Sequence, residues 1–314
     1  MARGPLRIAV CFAGKAEGIV THHAPRDLGI KRGRRTIGPA VPRELDCLTG
    51  WESIRQHVYS EGKGHVYDTF FHAWIENEER KSELCSVLKP SDYVAEQQIE
   101  FNPHPHYQRI ESHMYSLSQS FKLAMKYGEA TGKQYDFFVS LRYDLFFKKF
   151  VDYTSLHDNV LYYSGWKNHG HEIHDYFWVG SQSAIQDILI PLTKECHEWC
   201  KNPYDRAKGG KKISRKGRKV VSLHKFFAMY LDSLPDAVRR RAGDAQAHGP
   251  ILNHTDDFHI CRDLWWNSDD RDRVLEEQAV IGTHGVVKPT SPFENLKTTE
   301  TTWEMLVNEF SYYE

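Results

Sequence analysis

The sequence has no long hydrophobic run, no CxxC pair and no strong excess of charge of either sign. Its first apolar run, at residues 6–13, is too short to span a membrane and is not followed by a small-residue cleavage site. We therefore predict neither an anchor nor a signal peptide, and we expect a cytoplasmic location. The formal net charge of -1 argues against wholesale nucleic-acid binding. The six cysteines are scattered, which indicates reduced thiols rather than a disulfide framework or a structural zinc site.

Common motifs for phosphate binding and for nucleophilic catalysis are also missing. The chain contains no GxxxxGK[ST] sequence, no GxGxxG sequence and nothing that resembles a Ser or Cys triad. What is present is a moderate apolar content, 40% of 314 residues, with many aromatic side chains. That length is ample for a large core, so we expect a soluble globular protein.

Short apolar runs alternate with amphipathic segments along the chain. Strands are predicted at residues 6–13, 65–74, 93–96, 137–141, 160–164 and 176–180. Helices are predicted at residues 46–59, 77–88, 114–128, 181–189 and 223–230, with a break or kink at Pro191. Strands that alternate with helices imply right-handed crossovers. The predicted fold class is therefore α/β, with a mainly parallel mixed sheet flanked by helices and a helical C-terminal portion from residue 235.

Two stretches rich in basic residues and glycine interrupt this pattern. Residues 15–42 include the basic run 31–35 and predict a long loop, which either closes over an anionic ligand or is solvated and disordered. Residues 206–219 contain no acidic residue and predict a disordered surface loop or, alternatively, a nuclear-localisation or phosphate-binding patch. A non-catalytic protein that binds glycan or nucleic acid through these loops is one alternative function.

The tripeptide Arg142-Tyr143-Asp144 directly follows the predicted buried strand 137–141. Ligands of open α/β sheets bind at the carboxyl ends of parallel strands, so the tripeptide is the predicted cofactor-binding segment. Mg²⁺ and Mn²⁺ prefer one or two carboxylates plus phosphate oxygens. Asp144 is therefore the predicted ligand of a metal that holds a diphosphate, and Arg142 neutralises the same phosphates. An Arg–Asp pair that caps the strand and faces water is the alternative.

Two further positions are candidates for ligand contact. Ala13-Gly14 ends the first predicted strand, where a backbone that lacks a side chain allows close approach of a phosphate or a nucleotide base. His254 lies in the polar segment 253–259 and is a candidate ligand for a metal bound elsewhere in the fold. A structural role is the alternative for His254.

Residues 168–175 form a polar cluster just before the predicted strand 176–180. The cluster contains three histidines and two carboxylates, namely His169, His171, Glu172, His174 and Asp175. These are enough ligands for a metal, which predicts a metal-dependent hydrolase as one alternative and a polar loop lining a substrate cleft as the other. Asp175 abuts the strand and is the candidate general base for an acceptor hydroxyl, with Glu172 as its rival.

A diphosphate held by a metal and an Arg, with a carboxylate base across the crevice, fits group transfer from an activated donor. The ordered motifs resemble a family of nucleotide-sugar-dependent glycosyltransferases with the GT-A fold, found in bacterial glycan clusters and in large algal viruses. The resemblance covers about residues 6–200 and rests on segments 11–14, 67–74, 89–90, 96–97, 112–120, 135–136, 142–145, 174–175 and 177–181.

This resemblance implies a UDP- or GDP-linked sugar donor, a glycan acceptor and Mn²⁺ or Mg²⁺ as cofactor. From the charge and the short apolar runs we expect no nucleic-acid partner and no membrane span. The resemblance also implies a single catalytic domain, 1–314. Within that domain, residues 6–150 form the nucleotide-sugar-binding half and residues 151–314 the acceptor-side half.

The resemblance further implies roles for individual residues. Ala13 and Gly14 would contact the nucleotide, and Asp175 would face the acceptor. Asp144 corresponds to the second acidic residue of the metal-binding DxD motif of GT-A enzymes, and Arg142 stands where the first would be.

Overall fold

The computed structural model of the protein describes residues 4–17, 19–23, 40–44, 47–48, 50–60, 63–103, 105–166, 173–201, 223–242, 252–254 and 258–260. The chain divides into two compact units, the first comprising residues 1–17 and 46–261 and the second residues 18–45 and 262–314. The division into donor and acceptor halves at residue 150 stays a prediction.

Strands and helices alternate through most of the described chain. The strands are β1 (Arg7–Lys15), β2 (Ile19–His23), β3 (Ala40–Glu44), β4 (Val66–Trp74), β5 (Asp92–Glu96), β6 (Phe137–Leu141), β7 (Leu145–Phe147), β8 (Leu161–Trp166), β9 (Ile173–Gly180), β10 (Leu252–His254) and β11 (Phe258–Ile260). The helices are α1 (Trp51–His57), α2 (Glu78–Leu88), α3 (Pro105–Thr131), α4 (Gln182–Ala184), α5 (Ile190–Lys201), α6 (Leu223–Ser233) and α7 (Asp236–Arg239).

Nine of the described strands, all in the first unit, form one mixed sheet in the order β5-β4-β1-β6-β9-β8-β10-β11-β7. Strands β5, β4, β1 and β6 run parallel to one another. Strand β9 pairs antiparallel with both β6 and β8, β10 and β11 continue parallel to β8, and β7 pairs antiparallel with β11. The predicted α/β class with a mainly parallel mixed sheet is thus confirmed, and the arrangement is compatible with a Rossmann-like fold.

The second unit contains a structure that the sequence prediction missed. Strands β2 and β3 form an antiparallel hairpin, with Ile19 opposite Glu44 and His23 opposite Ala40. The prediction of one long loop over residues 15–42 is therefore wrong at both ends of that range. The β-branched run Ile19-Val20-Thr21 favours a strand, and the Gly, Pro and basic composition around it obscured this signal.

Strand β6 is buried on both faces, as its unbroken apolar run predicts. All five of its side chains are buried. Phe138 packs into the core cluster that includes α3, α5 and α6, whereas Phe137, Val139 and Leu141 pack into the cluster on the other face of the sheet. A strand in this central position has no face left for water, which explains the absence of polar alternation.

Helix α3 is longer than the sequence prediction at both ends. It begins at Pro105, a residue whose fixed φ suits the first turn of a helix, rather than near Met114. It ends at Thr131 rather than near Gly128, because Gly132 adopts a left-handed φ of +68° that turns the chain toward β6.

The helical chain continues through Pro191 without the predicted break, and a π-helical turn precedes this residue. Ser181 caps α4 by accepting a hydrogen bond from the Ala184 nitrogen. Residues Ile185–Leu189 form the π turn before α5 begins at Ile190. Pro191 has no N–H to donate to the preceding turn and its ring crowds that turn, which accounts for the wider winding there.

The portion after residue 235 is only partly helical within the described residues. It contains α7 and also the short strands β10 and β11. Three-residue strands carry too few positions for an alternating pattern, which is why the sequence did not reveal them. The rest of the predicted helical C-terminal portion, residues 261–314, and the basic loop 206–219 lie outside the described residues. None of the helices described combines the length and the apolar character needed to cross a membrane.

Buried Asp68, in β4, links the amino-terminal end of its own strand to those of the parallel strands β1, β5 and β6. Its carboxylate accepts hydrogen bonds from Arg7 Nη1 at 3.2 Å and from Lys133 Nζ at 2.9 Å. Tyr135 and Ser91 each donate a hydroxyl to it at 3.1 Å. Burial alone would raise the pKa of Asp68, but these hydrogen bonds outweigh it and the pKa is lowered.

We expect Asp68→Asn to destabilise the protein by about 1–3 kcal/mol at pH 7, because the buried Tyr135 hydroxyl and three partly buried donors lose a charged acceptor. The folded-state pKa of Asp68 lies below its unfolded value, so its stabilisation is present above about pH 4 and is lost as the pH falls through the folded pKa. Urea unfolding at pH 7 and at pH 3 measures both effects.

The matched control is Asp232→Asn, at an exposed position on α6. It should change the free energy of unfolding by less than about 0.5 kcal/mol. Equal effects of the two substitutions, or a difference that persists unchanged at pH 3, would contradict the role assigned to Asp68.

Candidate functional site

The candidate site lies where β6 ends. Leu141, the last residue of β6, is paired with Phe12 of β1 on one side and with Phe177 of antiparallel β9 on the other. Residues 142–144 therefore continue past the carboxyl edge of the parallel strands. Asp175 precedes Phe177 by two residues on β9 and lies at the same edge. The structure thus brings together two segments that are about 30 residues apart in the sequence.

Residues 142–144 also form the whole connection between β6 and β7. Leu145 begins β7, which pairs through Ile260 with β11, while β6 pairs with β9. Strands β6, β9, β8, β10, β11 and β7 are neighbours in that order, so residues 142–144 connect the first strand of the series to the last. The backbone of His254 belongs to this series and pairs with Trp166 and Phe258.

Arg142 and Asp144 form a bidentate ion pair. Arg142 Nε lies 2.8 Å from Asp144 Oδ1, and Nη2 lies 2.7 Å from Oδ2. The Arg–Asp pair of the capping alternative is therefore present, but Asp144 is 4% exposed and does not face water, whereas the Arg142 side chain is 20% exposed. The guanidinium carbon also lies 5.3 Å from the centre of the Tyr176 ring. Burial works to lower the pKa of Arg142, but the nearby carboxylates of Asp144 and Asp175 outweigh it and raise the pKa.

The Arg142–Asp144 pair determines which groups can provide positive charge at the carboxyl edge of the parallel strands. Both carboxylate oxygens of Asp144 accept hydrogen bonds from Arg142, so Asp144 does not present an open carboxylate to Mg²⁺ or Mn²⁺. Within the described ranges, no group of three or more His, Cys, Asp or Glu side chains is placed to hold a metal ion. The described residues thus supply no second ligand beside Asp144, and its positively charged neighbour is Arg142. The Mn²⁺ or Mg²⁺ site, which also involves the His254 side chain outside the described residues, stays a prediction.

Gly14 occupies a backbone conformation that other residues rarely adopt. Its φ is +118° at the end of β1. Its N–H donates to Ser116 Oγ at 2.6 Å, so this donor is used within the protein. A ligand contact from Gly14 would have to use its Cα or its carbonyl group. Ala13, the other predicted nucleotide contact, is buried in the core.

A buried hydrogen-bond chain supports the Gly14 backbone. His72 Nε2 lies 2.9 Å from Glu96 Oε1, and His72 Nδ1 lies 2.9 Å from Ser116 Oγ. Burial lowers the pKa of His72 and outweighs the opposing effect of Glu96. Ser116 Oγ accepts the Gly14 N–H and donates its hydroxyl hydrogen to the carbonyl oxygen of His72 at 3.0 Å, which ties β1, β4 and α3 together at this point.

The side chain of Tyr143 has a structural role. Its ring stacks on Phe12 with centroids 5.5 Å apart, and its hydroxyl donates to the carbonyl oxygen of His72 at 3.0 Å. The side chain is 2% exposed. The predicted cofactor contact of Tyr143 can therefore involve only its backbone.

His113 on α3 is a site residue that the sequence prediction did not single out. Its Nε2 lies 3.3 Å from the carbonyl oxygen of Asp175 and 3.5 Å from its Oδ2. Its pKa is lowered, mainly by burial, with Arg142 acting in the same direction and Asp175 and Asp144 opposing. A sequence signal did exist, because His113 lies in a stretch with Ser at positions 112, 116 and 120, one helical face of small polar residues.

Several predicted site residues lie outside the described residues. These are His169, His171 and Glu172, together with the basic run 31–35. For His174 only the backbone, in β9, is described. The hydrolase alternative, which depends on these histidines, therefore stays a prediction.

Sequence comparisons do not assign the chain to a family: no protein-family model matches it, and a search of curated proteins finds no match. What the site can do has to be argued from its own chemistry. Two buried carboxylates, a guanidinium and a neutral imidazole meet at one strand edge, in the side chains of Asp144, Asp175, Arg142 and His113.

We expect Asp144→Asn to destabilise the protein by about 3 kcal/mol, because it removes the charged partner of the Arg142 guanidinium, whose side chain is only 20% exposed. The measurement is urea unfolding at neutral pH. The matched control is Glu83→Gln, which breaks an exposed pair with Arg80 of similar length, 2.7 Å, and should cost less than about 1 kcal/mol. Equal losses in the two variants would refute this assignment.

We expect Gly14→Ala to cost about 1–3 kcal/mol, because an L side chain is strained at a φ of +118° even where space is available. A β-carbon there would lie 3.7 Å from His113 Nδ1, which is ordinary contact, so backbone strain rather than collision sets the cost. The control is Gly4→Ala, where nothing lies within 4 Å and φ is not positive. Thermal unfolding of both variants tests this, and a neutral Gly14→Ala would disprove it.

Proposed function

We propose that the protein is a cytoplasmic glycosyltransferase of the GT-A type. It transfers a sugar from a UDP- or GDP-linked donor to a hydroxyl group of a glycan acceptor. The observation that carries the proposal is the meeting of Arg142, held by Asp144, with Asp175 beyond the carboxyl ends of β1 and β6. The order of motifs described above adds support, because it resembles that of GT-A enzymes.

On the donor side, Arg142 binds the diphosphate. Its Nε and Nη2 are occupied by Asp144, and Nη1 makes no hydrogen bond to any residue in the described ranges. The remaining N–H groups are therefore available to phosphate oxygens, with the guanidinium orientation set by Asp144 and the Tyr176 ring. As the bond between the sugar and the diphosphate breaks, this fixed cation stabilises the negative charge that develops on the leaving group.

On the acceptor side, Asp175 supplies the negative charge that favours loss of the hydroxyl proton. It is 8% exposed and lies near Arg142. The acceptor oxygen attacks the anomeric carbon of the donor sugar, the glycosidic bond forms, and the nucleoside diphosphate leaves. Because Arg142 supplies the positive charge, the proposed reaction does not depend on the predicted Mn²⁺ or Mg²⁺, whose effect is an experimental variable.

The test is a panel of UDP- and GDP-sugars, each with and without Mn²⁺ and Mg²⁺, with binding followed by calorimetry and turnover by released nucleotide. We expect at least one donor to bind and to be cleaved. Arg142→Gln should weaken donor binding by about 10- to 100-fold, as expected for a lost hydrogen bond to a charged group.

The control is Arg239→Gln, which makes the same change in an exposed pair with Asp236 on α7 and should bind donor like the wild type. The proposal fails if no donor binds with or without metal. It also fails if Arg142→Gln binds and cleaves the donor as well as the wild type does.

A further inference from the structure

The His113 imidazole lies between the predicted donor and acceptor residues. On one side, its Nδ1 faces Gly14 at the end of β1, where a built β-carbon would lie 3.7 Å away. On the other side, its Nε2 faces Asp175, with the carbonyl oxygen at 3.3 Å and Oδ2 at 3.5 Å. Because Gly14 has no side chain, the space next to Nδ1 is not filled from β1.

The surroundings of His113 determine which nitrogen carries the hydrogen. Both groups that face Nε2, the carbonyl oxygen and the carboxylate of Asp175, are hydrogen-bond acceptors. A neutral imidazole has one hydrogen, and only a hydrogen on Nε2 satisfies this arrangement. Nδ1 is then an acceptor with a lone pair, and no other residue in the described part of the chain donates to it.

The charges around His113 favour a ring that starts neutral and gains a proton during a reaction. Burial and Arg142 keep the resting ring uncharged. Asp175 and Asp144 oppose this effect and would stabilise an imidazolium ion once it forms. The chain thus supplies a carboxylate behind one ring nitrogen and an open lone pair on the other, which is the arrangement that makes imidazole an effective proton acceptor.

We propose that His113 accepts the proton of the attacking hydroxyl group and that Asp175 is the positioning residue behind it. This inference rests on the proposed glycosyltransferase function. The O–H bond of the acceptor breaks and its proton passes to Nδ1 of His113, while the freed oxygen forms the bond to the anomeric carbon. The diphosphate departs with the electrons of the bond that breaks. Asp175 keeps its own charge and holds the Nε2 hydrogen throughout.

The experiment uses the full chain with the donor sugars that the wild type cleaves, and water serves as the acceptor. His113→Asn keeps a polar group near the Nδ1 position, and His113→Gln keeps one near the Nε2 position. Neither side chain takes up a proton. We expect both variants to bind donor within about threefold of the wild type and to lose about 10²- to 10⁴-fold in kcat, the usual contribution of a positioned general base.

His113→Gly with added imidazole separates proton transfer from a structural role. Imidazole should raise its rate of nucleotide release by roughly 10-fold or more, since the added base recovers part of the lost general-base contribution. The matched control is His197→Asn, which changes another histidine paired with a carboxylate, Glu111, on the α3–α5 contact and should retain wild-type kcat. Thermal unfolding of each variant checks that it is folded.

The possible results separate the two proposals. If the wild type binds no nucleotide sugar, the proposed function falls and this inference falls with it. If the wild type cleaves donor while His113→Asn and His113→Gln do so equally fast, only the role of His113 is overturned. A His113→Gly rate that imidazole does not change, in a folded protein that still binds donor, also overturns it.

Discussion

The ion pair between Arg142 and Asp144 is the constraint on which the site depends. A buried guanidinium is tolerated only when a carboxylate meets it with good geometry, and here both partners lie in one three-residue connection. The pair holds the chain in a tight turn as it leaves β6 and enters β7. That turn fixes the guanidinium over the Tyr176 ring and places it close to Asp175. The Arg-Tyr-Asp sequence therefore determines both the turn between β6 and β7 and the position of the guanidinium charge.

The parts of the fold that follow from local patterns were predictable. The buried run 137–141 has only one plausible environment, a central strand, and the alternation of elements around it implies a parallel sheet. The hairpin at residues 19–23 and 40–44 was missed because the Gly, Pro and basic residues around it obscured its β-branched run. The two strands after residue 250 were not predictable, because each has only three residues and pairs with a partner distant in sequence. The start of α3 at Pro105 was missed because its apolar stripe becomes clear only further on.

The candidate site likewise has residues that were predictable from the sequence and residues that were not. Arg142 and Asp144 were predictable because their position at a strand end can be read from the neighbouring residues. The partnership of His113 with Asp175 was not, because 62 residues separate the two and only the packing of α3 against the sheet brings them together. Asp144 corresponds to the second acidic residue of a DxD motif, and its carboxylate is paired with Arg142, which stands at the position of the first. The position in the motif alone therefore did not decide whether Asp144 binds a metal.

The connection at residues 142–144 has a consequence for the pairing register of two strands. It joins β6, which pairs with β9, to β7, which pairs with β11, and four strands separate these two in the order of the sheet. A shift of one residue in the pairing of either strand would turn every side chain of that strand to the opposite face. With only three residues between them, the register of β6 against β9 and that of β7 against β11 are set together.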